Sequence, residues 1–124
     1  MSHGKIVGIG VVVVVLVFVG FGIWNRTQPG KYDAFAQCLG EKGAIFYGAF
    51  WCPHCQEQKA LFGNSKDKLP YKECSTPDGQ AQLQVCKDAG ITGYPTWILK
   101  GGERLSSVQS LATLAEKTGC KLPL

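Results

Sequence analysis

The string Phe50–Gln56, FWCPHCQ, holds two cysteines two residues apart, with proline and histidine between them. A pair at this spacing can clip a metal, staple a loop or exchange electrons as a dithiol. A structural zinc site needs four ligands. The sequence offers no second C-x-x-C and no H-x-x-x-H, and His54 is crowded between the two cysteines, so no metal is expected. A purely structural Cys52–Cys55 bond would close a very small loop and gain little. The reactive dithiol remains. Pro53 suits the first position of a helix, where its missing N–H is no loss. Cys52 would then stand at the N-cap and Cys55 one turn in. Unpaired backbone N–H groups and the positive helix end would face the Cys52 sulfur. Such settings lower a cysteine pKa from about 8.5 toward about 3.5–7.5. Pro53 and His54 are the expected tuning residues, with His54 a polar and potentially cationic neighbour. A better leaving group raises the reduction potential of the pair, and about 30 mV corresponds to about 1.4 kcal/mol. Cys52 is therefore read as the attacking and leaving sulfur, and Cys55, deeper in the helix, as the resolving thiol. No bound cofactor is expected beyond the redox-active disulfide Cys52–Cys55 itself.

A cysteine at a helix tip must be delivered by the element before it. Ala44–Phe50, AIFYGAF, is an apolar run fit for a buried central strand. Pro53–Phe62 reads as the helix that follows. Upstream, Asp33–Leu39 places Phe35, Cys38 and Leu39 at helical spacing, with Asp33 as N-cap and Gly40 or Gly43 as the stop. Downstream, Tyr71–Cys74 reads as a short strand and Gln80–Ala89 as a helix stopped by Gly90. Thr96–Lys100 and Glu103–Val108 read as strands joined at Gly101-Gly102, a hairpin signal. Ser110–Thr118 closes as a helix before Gly119. The order α, then β-α-β-α-β-β-α, predicts a mixed sheet with helices on both faces.

Residues 6–24, IVGIGVVVVVLVFVGFGIW, carry no charge. A helix of that length spans about 28 Å, close to the hydrocarbon core of a bilayer. A run of valines favours a strand in water, but a lone segment in lipid satisfies its backbone only as a helix. Trp24 stands where an interfacial anchor would sit, between flanking Lys5 and Arg26. A cleaved signal peptide is the competing reading, although its apolar region is usually shorter and ends in a small-residue cleavage site. The expected organisation is a short tail over 1–5, a transmembrane helix over 6–24, a linker over 25–31 and a folded domain over 32–124. Six cysteines place that domain on the oxidising, extracytoplasmic side of the cell membrane, behind a single span. The net charge of +4 is spread through the chain and forms no basic stripe, which argues against nucleic acid as a partner.

The strings AIFYGAF, WCPHC and GYPT at 93–96 together resemble the thioredoxin superfamily over about residues 32–119. YGAFWCPHCQEQKALFG, LPYKECS and CKDAGITGYPTW are similar, more narrowly, to the thioredoxin-like partner of bacterial vitamin K epoxide reductase homologues. That resemblance implies an α/β thioredoxin-like fold, here behind one N-terminal transmembrane helix. It implies the activity of a thiol–disulfide oxidoreductase of the protein disulfide oxidase type. Its clients would be cysteine-containing extracytoplasmic proteins, and a quinone-linked membrane enzyme of the vitamin K epoxide reductase type would reoxidise Cys52–Cys55. A reductase or isomerase on the same fold, and a binding module with an incidental dithiol, are the alternatives. The resemblance further implies a cis Tyr94-Pro95 bond facing the dithiol, with Trp51, Tyr94, Pro95 and Thr96 lining a client groove. On the residues alone, Pro95 would read as a trans proline entering an edge strand. The resemblance also implies a Cys74–Cys86 disulfide. Cys38 and Cys120 each flank a terminal helix. A Cys38–Cys120 bond would tie the two ends of the domain together, whereas two free thiols would leave Cys38 a small buried apolar residue. In one respect the sequence departs from thioredoxin, which carries a buried acid six residues before its first active cysteine. Phe46 stands there in this chain, which favours oxidant over reductase behaviour.

Overall fold

The computed structural model describes residues 2–124. Helix α1, His3–Thr27, runs 25 residues, about 37 Å, and buries none of them against the rest of the chain. By length and composition it is able to cross a membrane. It extends the charge-free stretch at both ends. His3–Lys5 of the expected tail and Asn25–Thr27 of the expected linker are helical, and residue 1 lies outside the described residues. Thr27 Oγ1 donates to the Trp24 carbonyl in the last turn. Pro29 then holds the preceding residue, Gln28, extended and ends the helix.

The folded part contains α2 (Asp33–Glu41), β1 (Ile45–Gly48), α3 (Pro53–Ala60) and a 3-10 helix (Gly63–Lys68). After these come β2 (Tyr71–Glu73), α4 (Gln84–Asp88), β3 (Thr96–Ile98), β4 (Arg104–Ser106) and α5 (Leu111–Thr118). The sheet order is β2-β1-β3-β4, with β1 parallel to β2 and antiparallel to β3, and β3 antiparallel to β4. This is the mixed α/β architecture expected, with β1 central.

Side chains alternate across a strand, and here they divide the core in two. Phe46 of β1 and Trp97 and Leu99 from the β3 segment join Phe35, Leu39, Cys52, Cys55, Phe62 and Leu114, which come from α2, α3, α5 and the chain after α3. Ile45 and Tyr47 of β1, with Ile98, join Cys74, Cys86 and Ile91 around α4 on the other face. Phe46 is fully buried and stacked on Trp97, ring centroids 5.0 Å apart. Aromatic pairs of this kind add about 0.5–1.5 kcal/mol beyond their burial.

Three local departures from the sequence reading have physical causes. Asp33 is the first residue of α2 rather than its cap, and Tyr32 occupies the N-cap without a side-chain bond. The carboxylate still lies in the first turn, where the helix dipole favours it. Helix α4 covers only the second half of Gln80–Ala89. Thr76 and Asp78 hold the first half in a turn: Thr76 N–H donates to the Ala81 carbonyl, Gln80 N–H donates to Asp78 Oδ1, and Ser75 bridges Gln82. The 3-10 helix, Gly63–Lys68, lies between α3 and β2, where no element is expected. Helix α5 follows its sequence signals: Ser110 Oγ accepts from Thr113 N–H, and Gly119 closes the helix at φ 77°.

Two disulfides brace the domain. Cys38, in α2, is bonded to Cys120 beyond α5, across 82 residues of sequence. Cys74 is bonded to Cys86 of α4, across 12 residues.

Candidate functional site

Strand β1 runs into the bend 49–51 and delivers Cys52 to the start of α3. Cys52 is the N-cap and Pro53 opens the helix. The Cys55 N–H donates to Cys52 Sγ at 3.3 Å. A backbone donor aimed at a sulfur favours negative charge on it. The Cys52 thiol in turn lies 3.7 Å from the Tyr94 carbonyl oxygen. Cys52 and Cys55 are the two cysteines outside the disulfides, and both are buried. Cys52 keeps 5% of its surface and Cys55 none, so the Cys52 sulfur is recessed rather than openly exposed. Burial pushes the Cys55 thiol up to about 12, its hydrogen bond with Cys52 acts in the same direction, and a backbone hydrogen bond with Ala49 and then nearby Lys59 oppose both. Beside a free Cys52, Cys55 is thus a protonated thiol at neutral pH.

His54 is exposed at the start of α3. Its Nδ1 lies 3.3 Å from Glu57 Oε2, with both side chains largely exposed. His54 and Glu57 border a cavity of about 280 Å³ with Tyr94, Pro95, Ser107 and Val108. The Tyr94-Pro95 bond is cis. Trp51 is half-exposed and packs edge-on to Tyr94, ring centroids 5.9 Å apart. Its indole N–H donates to Ser75 Oγ. Tyr94 therefore stands against Cys52, with Trp51 packed on Tyr94 and Pro95 on the adjoining cavity. Thr96 is buried and its hydroxyl donates to the Gly93 carbonyl, so it holds the turn before β3 and does not face the cavity.

Several residues that the sequence did not single out complete the site. Glu73, at the end of β2, accepts the N–H groups of Phe50, Cys74 and Ser75 on Oε1 and the Tyr71 hydroxyl on Oε2. One carboxylate thereby ties the bend before Cys52 to the segment holding the Cys74–Cys86 disulfide. Gln58 is fully buried on α3. Its Oε1 accepts from Trp97 Nε1 and from Gln109 N–H, and its Nε2 donates to the Gln109 carbonyl. The helix that carries both cysteines is thus fixed to β3 and to the chain before α5. Gly48 is small for a reason: a side chain there would begin 2.9 Å from Cys55 Sγ and 2.9 Å from Tyr71 Cε2. The place of thioredoxin's buried acid is filled by the Phe46–Trp97 stack.

No family model matches the chain. Among curated proteins, it is 49% identical over 94 residues to one from Arabidopsis thaliana named thiol-disulfide oxidoreductase LTO1, covering 72% of this chain and 24% of that protein. It is 32% identical over 95 residues to a thioredoxin domain-containing protein 5 homolog of Drosophila melanogaster, covering 68% of this chain and 22% of the other. It is 26% identical over 108 residues to the protein disulfide-isomerase erp38 of Neurospora crassa, covering 75% and 29%. The chain spans about a quarter of the length of these relatives. Their names support the thioredoxin superfamily and indicate thiol–disulfide oxidoreduction as the chemistry of this group.

Proposed function

We propose that the chain is a membrane-anchored thiol–disulfide oxidoreductase of the protein disulfide oxidase type. The observation that carries the proposal is Cys52 at the tip of α3, with the Cys55 amide directed at its sulfur and the Tyr94 carbonyl beside it. A client thiolate attacks Cys52 Sγ in the oxidised pair and Cys55 leaves as a thiolate. A second client thiolate then attacks the client sulfur of the mixed disulfide and releases Cys52. Trp51 and Tyr94 flank the point of attack, and the cavity bordered by Pro95 takes the extended client segment. The apolar α1 anchors the domain to the cell membrane, with the dithiol on the extracytoplasmic side, where two further disulfides are at home. The resemblance of YGAFWCPHCQEQKALFG, LPYKECS and CKDAGITGYPTW to the thioredoxin-like partner of vitamin K epoxide reductase homologues supports a quinone-linked membrane enzyme of that type as the electron acceptor.

The similarity to a disulfide-isomerase favours a second reading, a reductase or isomerase at the same site. A reduction potential near about −270 mV supports that reading, and one between about −120 and −200 mV supports the oxidase. Trapping tests the enzyme itself. A Cys55→Ala chain is expected to accumulate mixed disulfides through Cys52 in cells, and these should vanish in Cys52→Ala/Cys55→Ala. If none accumulate, the dithiol is incidental and the domain is a binding module.

A further inference from the structure

Cys55 must carry negative charge each time its bond to Cys52 breaks or forms, yet it is wholly buried. The groups around it show where help is available. Cys52 and Lys59 face it from α3 and Tyr71 from β2, with Glu73 on the Tyr71 hydroxyl and Lys66 and Asp67 at the rim of the adjoining cavity. From β1 and β3 come the apolar rings of Phe46 and Trp97. Lys59 is four residues after Cys55, so both lie on one stripe of the helix.

Lys59 is held in place. Its Nζ sits 3.7 Å from the centroid of the Tyr71 ring, a close cation–π contact. Tyr71 is fixed in turn, because its hydroxyl donates to Glu73 Oε2 at 2.7 Å and Glu73 is pinned by three backbone N–H groups. The ring edge and the Cys55 sulfur both border the space that Gly48 leaves open. On the outer side, Lys59 and Tyr71 line a polar cavity of about 480 Å³ with Gln56, Lys66, Asp67 and Leu69.

Resting on the oxidoreductase reading, we propose that Lys59, clamped over the Tyr71 ring, is the positioning residue that stabilises negative charge on Cys55 Sγ during exchange. When a client thiolate attacks Cys52 Sγ, the Cys52–Cys55 bond breaks and its electron pair moves to Cys55. The client is then bonded to Cys52, and the Cys55 thiolate takes a proton from solvent. On reoxidation the Cys55 thiol releases its proton and its thiolate attacks Cys52 Sγ, so the group bonded to Cys52 departs as a thiolate. An ammonium near the sulfur favours the charged form in both directions. Burial of the Cys55 thiol works against that charge; a backbone hydrogen bond with Ala49 opposes that burial first, and Lys59 is the cation that adds to the opposition.

The aromatic disulfide DTNB separates the two sulfurs. With the reduced full chain, attack by Cys52 releases one coloured thiolate, and attack by Cys55 on the Cys52 adduct releases a second. Lys59→Met is expected to slow the second phase about tenfold relative to the first and to raise the pH midpoint of that phase by about one unit. Lys59→Arg should restore both. A second phase unchanged in rate and pH midpoint in Lys59→Met, or both phases slowed equally, would overturn the role of Lys59. Absence of the first phase in the unsubstituted chain would overturn the oxidoreductase reading instead.

Discussion

Gln58 offers a direct check on how the dithiol is held. It lies three residues after Cys55 and makes three hydrogen bonds with two residues distant in sequence. Gln58→Leu keeps the reach of the side chain and removes its polar atoms. Trp97 is fully buried, so its indole N–H finds no water in exchange. A buried donor left without a partner costs about 1–3 kcal/mol. The Gln109 N–H and carbonyl are only part-buried, so their loss adds a smaller amount, about 1 kcal/mol together. The added apolar burial offsets about 1 kcal/mol. The net loss should be about 1–3 kcal/mol, a sizeable share of a typical domain stability of about 5–15 kcal/mol. Urea denaturation of the oxidised chain should show it as a midpoint lowered by about 0.7–2 M at an ordinary slope. Because α3 carries both sulfurs, Cys55 in the reduced variant should also alkylate faster. A midpoint within about 0.3 M of the unsubstituted chain, on the same slope scale, would refute the claim that this bond set fixes α3.

The two disulfides should differ in worth according to the chain they close. In the chain-entropy model, Cys38→Ala/Cys120→Ala should cost about 4.5 kcal/mol and Cys74→Ala/Cys86→Ala about 3 kcal/mol, both read from denaturant midpoints; the reverse ranking would contradict that basis. A pH series tests the burial of Cys55. Its folded pKa, about 12, lies above its ordinary 9.0, so its contribution is full below about pH 9 and is lost as pH rises from there toward 12. Cys52→Ser should therefore lose stability above pH 9 relative to Cys52→Ser/Cys55→Ser, whereas parallel curves would show that the thiol is solvated.

The legible parts of this molecule are those whose signals are local. WCPHC at a strand-to-helix junction, Gly101-Gly102 between two strands, and Ser110 and Gly119 around α5 each encode their geometry within a few residues. The apolar stretch before Asn25 is equally plain as a helix, though its ends are not, because Lys5 and Arg26 continue a helix as readily as they flank one. Illegible features depend on partners far away in sequence. Gln58 reads as one more polar residue on a polar helix until Gln109, 51 residues on, meets it. Glu73 reads as a strand end until the Phe50 amide, 23 residues back, reaches its carboxylate. The shortening of α4 is an intermediate case: Thr76 and Asp78 are turn formers, but their capture of Gln80 and Ala81 competes with a helical pattern of similar strength. Lys59 and Tyr71 come together only through the parallel pairing of β1 with β2, which no short string announces.

Equilibration of the full chain with glutathione buffers of graded poise, followed by acid quench and alkylation of free thiols, tests the central claim most directly. The account predicts that Cys52 and Cys55 gain and lose label together, reversibly, as one two-electron couple between about −120 and −200 mV. Thiols that stay fully labelled at every poise, or that lose label independently of each other, would contradict it.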